Sequence, residues 1–159
     1  MTMTQVPARF VELIANVTKT IDGQPIAPAL ETRLAADFPP GSAVFDEIEQ
    51  LCHQGVAEGW LCAREHDGIK FGRAVKPDEA THGFSVDVVE MTEVEGPHHA
   101  HPNGEIDMVM PIDAAARFDG TPRGWKVYAP GSAHCPAVRG GKALVLYLLP
   151  QGAIEFTRS

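Results

Sequence analysis

From about Gly59 onward the sequence consists of short β-prone runs, and this pattern limits the fold more than any other feature of the chain. The runs are separated by Gly, Pro, Asn and Asp, the residues typical of turns between antiparallel strands. Candidate strands are residues 60–64, 69–75, 84–91, the histidine-rich segment after Gly96, 105–110, 126–128, 143–149 and 153–157. Because that number of strands suits a small closed barrel or jelly roll, residues 59–159 are predicted to form one antiparallel β domain.

The segment before Gly59 shows helical periodicity instead. Apolar residues that recur at spacings of three and four share one face of a first helix: Phe10, Leu13, Ile14 and Val17. A second helical stretch, residues 29–36, ends before two prolines and a glycine, and a third begins after Ser42, a residue type favoured as N-cap. Residues 1–58 are therefore predicted to be a helical segment that packs against the barrel or a second subunit.

Composition and charge exclude several classes of function. The chain has 159 residues, and its formal net charge of -8 would repel the phosphate backbone of a nucleic acid. No stretch approaches the roughly 20 apolar residues of a membrane-spanning helix, and the first residues lack the apolar run of a signal peptide. We therefore expect a cytoplasmic protein with reduced cysteines that binds neither nucleic acid nor membrane.

Residues 96–107, which read GPHHAHPNGEID, carry the strongest signal for a metal site. His99 and His101 are two apart, so in a strand they share one face and lie about 6.7 Å apart along it. Glu105 follows a Pro-Asn-Gly turn, and His134 follows a Pro-Gly turn in another part of the chain. These four residues are predicted to be the ligands of one divalent metal ion.

Two alternatives accompany this prediction. His98 replaces His99 as ligand if a bulge changes the direction of the strand, and a histidine-rich surface loop would bind no metal at all. Asp107 shares a strand face with Glu105, so it should also point into the cavity. There it is either hydrogen-bonded structurally or, with its pKa raised by burial, a group that transfers protons beside the metal.

Residues that could shape a substrate pocket are less specific. Lys70 and Arg73 are three apart in one predicted strand, so only one of them can point inward. An inward arginine would suit a bidentate grip on a substrate carboxylate, whereas solvation of both residues is the alternative. Trp125 and Tyr128 are predicted to line the same pocket, with core packing as the alternative.

The ligand order resembles the two motifs of the cupin superfamily, namely H-x-H followed by E, and a proline-and-glycine turn ending in G-x-x-H. Four longer runs also look like those of the 4-hydroxylaminobenzoate lyase family: GFSVDVVEM from Gly83, GPHHAHPNGEIDMVMP from Gly96, WKVYAPGSAH from Trp125 and ALVLYLLPQGAIEF from Ala143. The resemblance implies a cupin-like β-barrel and a metal-dependent lyase that converts 4-hydroxylaminobenzoate to 3,4-dihydroxybenzoate and ammonia. The residues permit this chemistry, with Glu105 and Asp107 as candidates for moving protons.

The same set of ligands is also compatible with other functions. Another cupin enzyme, a dioxygenase or an isomerase acting on a small aromatic or carboxylic acid, could use the same ligands, and so could a non-catalytic barrel that binds a small molecule. Imidazole and carboxylate ligands suit Fe, Mn, Zn, Ni or Co. Barrels of this kind are commonly dimers, so a homodimer is expected.

Overall fold

The computed structural model describes residues 6–157. Three α-helices come first: α1 is Ala8–Ile21, α2 is Pro28–Asp37 and α3 is Ala43–Glu58. The N-cap predicted at Ser42 is confirmed, because its side chain accepts a hydrogen bond from the Phe45 amide at 3.4 Å. Gly59 ends α3 in the left-handed conformation, with φ 87. A short 3-10 helix, Glu79–Thr81, lies later in the chain.

Ten strands follow the helices within the described residues, and all of their pairings are antiparallel. They are β1 Arg64–His66, β2 Ile69–Val75, β3 Phe84–Glu95, β4 His99–His101, β5 Glu105–Pro111, β6 Arg117–Phe118, β7 Gly124–Tyr128, β8 Ser132–His134, β9 Ala137–Pro150 and β10 Glu155–Phe156. Seven strands form a large sheet in the order β1-β2-β3-β9-β5-β7, with β6 also paired to β9. The other three form a small sheet in the order β10-β4-β8.

The fold class predicted from the sequence, a mainly β antiparallel jelly roll preceded by short helices, is confirmed. The described strands belong to two separate sheets rather than to one continuous hydrogen-bonded ring. No helix among residues 6–157 combines the length and the apolar character that a membrane crossing requires.

The large sheet has one face under the helices and one face toward the site. Side chains that alternate along β3, β5 and β9 join those of the helices in one apolar core, which includes Phe10, Leu13, Phe45, Val86, Val88, Ile106, Met108, Leu146 and Leu148. The intervening residues of the same strands point to the opposite face and form a second cluster with Phe118, Val89, Val109, Val145 and Tyr147. Residues of the small sheet pack over this second face.

The strand predicted at residues 60–64 is wrong for most of its length. The amides of Trp60 and Leu61 both donate to the Gly55 carbonyl, at 3.0 and 3.1 Å, so this apolar run closes the end of α3 instead of joining a sheet. Cys62 then has φ 54, and β1 begins only at Arg64.

Two short strands that the sequence did not indicate are β6 and β8, and β8 carries His134.

Candidate metal centre

Two strands of the small sheet present the three histidines to one point. In β4 the two-residue alternation places His99 and His101 on one face. The antiparallel register sets His134 of β8 directly opposite His99, where side chains of a pair are close neighbours. Glu105 begins β5 immediately after the turn at Gly104, whose φ of 89 favours glycine.

The four side chains form a compact group. One candidate ligand atom from each of His99, His101, Glu105 and His134 can be chosen so that all lie within 4.8 Å of one another. Nε2 of His134 is 3.1 Å from Nε2 of His99, and Nε2 of His101 is 3.4 Å from Oε2 of Glu105. His99, His101 and Glu105 are fully or almost fully buried, while the His134 side chain retains 13% of its exposure.

Buried polar atoms of this group lack partners within residues 6–157. Nε2 of His101 and both carboxyl oxygens of Glu105 are buried without a hydrogen bond. Such atoms are costly to bury, and a cation between them would remove that cost. Burial first, and then a neighbouring histidine, lowers the pKa of His99 to about 4 and that of His101 to about 3, so both rings are in the neutral form that binds metals. The cluster could therefore hold a metal ion.

A second layer of hydrogen bonds orients the histidine rings. The Asp119 carboxylate accepts hydrogen bonds from Nδ1 of His134 at 2.6 Å, from the Tyr128 hydroxyl and from the Ala137 amide at 2.9 Å. Burial alone would raise the pKa of Asp119, but these hydrogen bonds lower it overall. Nδ1 of His101 lies 2.9 Å from the Ser132 hydroxyl. Partners at Nδ1 leave Nε2 of each ring directed toward the cluster.

Asp107 lies two residues after Glu105 on the same face of β5, as its spacing predicts. It is fully buried, and neither of its carboxyl oxygens has a hydrogen-bond partner within residues 6–157. Burial and the nearby Glu105 carboxyl raise the pKa of Asp107 well above its ordinary value. A carboxyl group in this environment holds its proton to higher pH than a solvent-exposed aspartate does, which suits it to proton donation.

The structure also shows where two other predicted residues, His98 and Tyr128, lie relative to the cluster. His98 points away from the cluster, because its Nδ1 bonds to the Thr157 hydroxyl, so His99 is the residue that joins the other candidate ligands. Tyr128 lies against the site, with its ring centroid 4.5 Å from that of His134 and 5.2 Å from that of His101.

Trp125 is not brought to the site. Alternation along β7 puts it on the helix-covered face, where its indole nitrogen donates to the Phe38 carbonyl at 2.8 Å and its ring packs against Phe45. Arg73 lies on the site face of the large sheet but is already paired. Its guanidinium binds both carboxyl oxygens of Asp87, at 2.9 and 3.1 Å, and the Gly152 carbonyl at 3.2 Å.

Sequence reasoning missed three residues near the site: Asp119, Ser132 and Lys126. Asp119 and Gly120 form an Asp-Gly turn with φ 49 and 80, and this dipeptide is a recognisable turn signal. The signal locates the turn but does not show that its carboxylate meets His134. Alternation from Tyr128 would have placed Lys126 on the same face of β7.

Sequence comparisons with known proteins agree on one family. The sequence profile of the PnbB family, described as 4-hydroxylaminobenzoate lyase, matches residues 12–156. A 4-hydroxylaminobenzoate lyase of Nocardioides sp. (strain LMS-CY) is 37% identical, over 80% of each chain. The 4-hydroxylaminobenzoate lyase of Pseudomonas putida is 33% identical, over 80% of this chain and 82% of that protein. An RmlC-like cupin protein from Ralstonia eutropha JMP134 superposes with a TM-score of 0.46 and 13% identity, covering 61% of this chain and 64% of the other.

Proposed function

Because the chain belongs to the 4-hydroxylaminobenzoate lyase family, we propose that it converts 4-hydroxylaminobenzoate to 3,4-dihydroxybenzoate and ammonia. The observation that carries this proposal is the family match over residues 12–156, which includes the whole cluster of candidate metal ligands. The reaction consumes water, breaks the nitrogen–oxygen bond, the carbon–nitrogen bond and one ring carbon–hydrogen bond, and forms two bonds from ring carbon to oxygen. The nitrogen gains the electron pair that the ring loses, so no external oxidant or reductant is required.

His99, His101, Glu105 and His134 would hold a divalent transition metal, which their imidazole and carboxylate donors suit: iron, manganese, zinc, nickel or cobalt. Such an ion supplies a Lewis acid at the substrate oxygen when it is bound. The chain itself contributes the fixed directions of the rings, because Asp119 and Ser132 hold two of the Nδ1 atoms.

Asp107 is the proton donor of the proposed reaction. Its raised pKa favours the protonated form, so it can deliver that proton to the hydroxylamine oxygen as the nitrogen–oxygen bond breaks. Glu105 is its neighbour on β5, and a carboxyl beside a carboxyl further favours the protonated form of one of them. Tyr128 offers the substrate ring an aromatic wall next to His101 and His134.

Turnover without oxygen tests the proposal. Metal-supplemented protein is incubated anaerobically with 4-hydroxylaminobenzoate, and 3,4-dihydroxybenzoate and ammonia are quantified together. We expect equal amounts of the two products. Product formation that requires and consumes oxygen would support a dioxygenase instead, and binding without any turnover would support a non-catalytic binding protein.

A further inference from the structure

The edge strand of the large sheet presents a lysine to the site. Lys126 lies on β7 on the same face as Tyr128 and directly opposite Asp107 in the antiparallel register. Its ammonium nitrogen is 5.7 Å from the centroid of the Tyr128 ring, and that ring is 4.5 Å from the His134 ring. These two distances place the ammonium no more than about 10 Å from the centre of the His134 ring, a separation that a para-substituted benzoate can span.

Lys126 is a basic residue beside a site whose other charged residues are acidic. Three acidic residues surround the site: Glu105, Asp107 and Asp119. Within residues 6–157 no carboxylate oxygen lies within 4.0 Å of the Lys126 ammonium, although the side chain is half-buried. An anionic substrate that enters an acidic, largely buried site needs a cation to replace its lost hydration.

Arg73 is less suited than Lys126 to bind the anionic group of a substrate. Arg73 on β2 and Asp107 on β5 lie in one row across the large sheet, which runs through Asp87 and Tyr147. Three strand spacings separate the two residues, which is about 14 Å. Lys126 is on the strand next to Asp107. The Arg73 guanidinium is already hydrogen-bonded to both carboxyl oxygens of Asp87, whereas the Lys126 ammonium can still bind a substrate carboxylate.

We propose that Lys126 binds the carboxylate of the aromatic substrate and thereby selects benzoates over rings that lack this group. The inference rests on the proposed function for the identity of the substrate. With the carboxylate on Lys126, a group in the para position of the same ring is directed toward the histidines and Glu105. A charge-assisted hydrogen bond in a partly desolvated site supplies both affinity and orientation.

Binding of two catechols tests Lys126 independently of turnover. The ligands are 3,4-dihydroxybenzoate and catechol, which differ only in the carboxylate, and their affinities for metal-loaded wild type and Lys126→Met are measured by titration calorimetry. We expect the variant to bind 3,4-dihydroxybenzoate about 10- to 100-fold more weakly and to bind catechol unchanged. Lys142→Met, which removes the same charge from a residue paired with Glu90, is the matched control and should change neither affinity.

Three results would overturn the inference. One is an unchanged affinity of Lys126→Met for 3,4-dihydroxybenzoate, and another is an equal loss for both ligands. The third is a selective loss in Arg73→Ala with none in Lys126→Met, which would make Arg73 the anchor. Failure of the proposed function looks different: the wild type would then release no ammonia from 4-hydroxylaminobenzoate, even where the carboxylate preference depends on Lys126.

Discussion

Two carboxyl groups, Glu105 and Asp107, are buried side by side on one strand, and their environment separates their roles. Burial raises the pKa of both; the Glu105 carboxyl raises the pKa of Asp107 further, whereas Asp107 lowers that of Glu105. Glu105 shares its location with three imidazoles, so a cation there would stabilise its ionised form. Asp107 stands opposite Tyr147 and Lys126, and burial favours its protonated form. The pair thus offers one ligand and one acid.

Replacing Asp107 by Asn tests the acid. The change preserves shape and removes the proton donor, so we expect turnover to fall about 100- to 10,000-fold while the metal content stays at the wild-type level. Steady-state rates and elemental analysis of the same samples measure both. Asp67→Asn, in an exposed turn, serves as the control. An Asp107→Asn enzyme with the wild-type rate would remove Asp107 from the mechanism.

Metal uptake should depend on pH through the carboxyl pair. His99 and His101, with pKa values of about 4 and about 3, are already neutral near neutral pH and release no protons there. The raised pKa of Glu105 means that metal binding must displace a proton from the pair, so affinity should rise from about pH 5 to about pH 8. Calorimetry in buffers of different ionisation enthalpy counts the protons. Affinity that does not change with pH would contradict this assignment.

Asp119 should act on the metal through His134. An Asn in its place can donate to Nδ1 and favour the wrong tautomer, so Asp119→Asn should weaken metal binding about 10- to 100-fold in a chelator competition. Tyr128→Phe removes one hydrogen bond to the same carboxylate but leaves the bond to His134 intact, and we expect a smaller loss. Equal affinity of Asp119→Asn and wild type would show that Asp119 does not orient the ring.

At the scale of elements, β7 connects the helices to the site. One face of this edge strand carries Trp125, which is bonded to the segment after α2, and the other carries Lys126 and Tyr128. The carboxylate of Glu31 on α2 also accepts a hydrogen bond from the Val127 amide at 2.9 Å. The helix thereby covers part of an open sheet edge and fixes the strand that faces the substrate.

Trp125→Phe distinguishes this structural role from the substrate contact predicted from the sequence. Loss of the indole donor leaves the Phe38 carbonyl unpaired, which should lower the free energy of unfolding by about 1–3 kcal/mol. Denaturant titration measures that change, and KM should stay the same. A raised KM with unchanged stability would show instead that Trp125 contacts the substrate.

Strand alternation explains which site residues could be predicted. His99 with His101, and Glu105 with Asp107, are each two apart, and each pair shares a face as expected. Trp125 and Tyr128 are three apart in one strand, so they could not both face one pocket. Asp119 was beyond reach because its contact with His134 depends on how distant segments pack, which local periodicity does not encode.

At the scale of the whole molecule, one sheet serves two purposes. Its outer face shares a continuous apolar core with the three helices, and its inner face carries the acidic pair beside the small sheet. The rigid outer packing supports a site whose candidate ligands come from β4, β5 and β8, and whose hydrogen-bond partners come from β8 and the turn after β6. The boundary after residue 58, the homodimer and the cytoplasmic location stay predictions from the sequence, and light scattering of the purified protein tests the dimer.

Metal reconstitution tests the central claim most directly. Protein stripped of metal by a chelator is titrated with each candidate ion, and ammonia release from 4-hydroxylaminobenzoate is plotted against bound metal per chain. We expect turnover to rise in proportion to occupancy and to level off at a single ion per chain, with no recovery in His99→Ala or His134→Ala. Full turnover in metal-free protein would contradict the account.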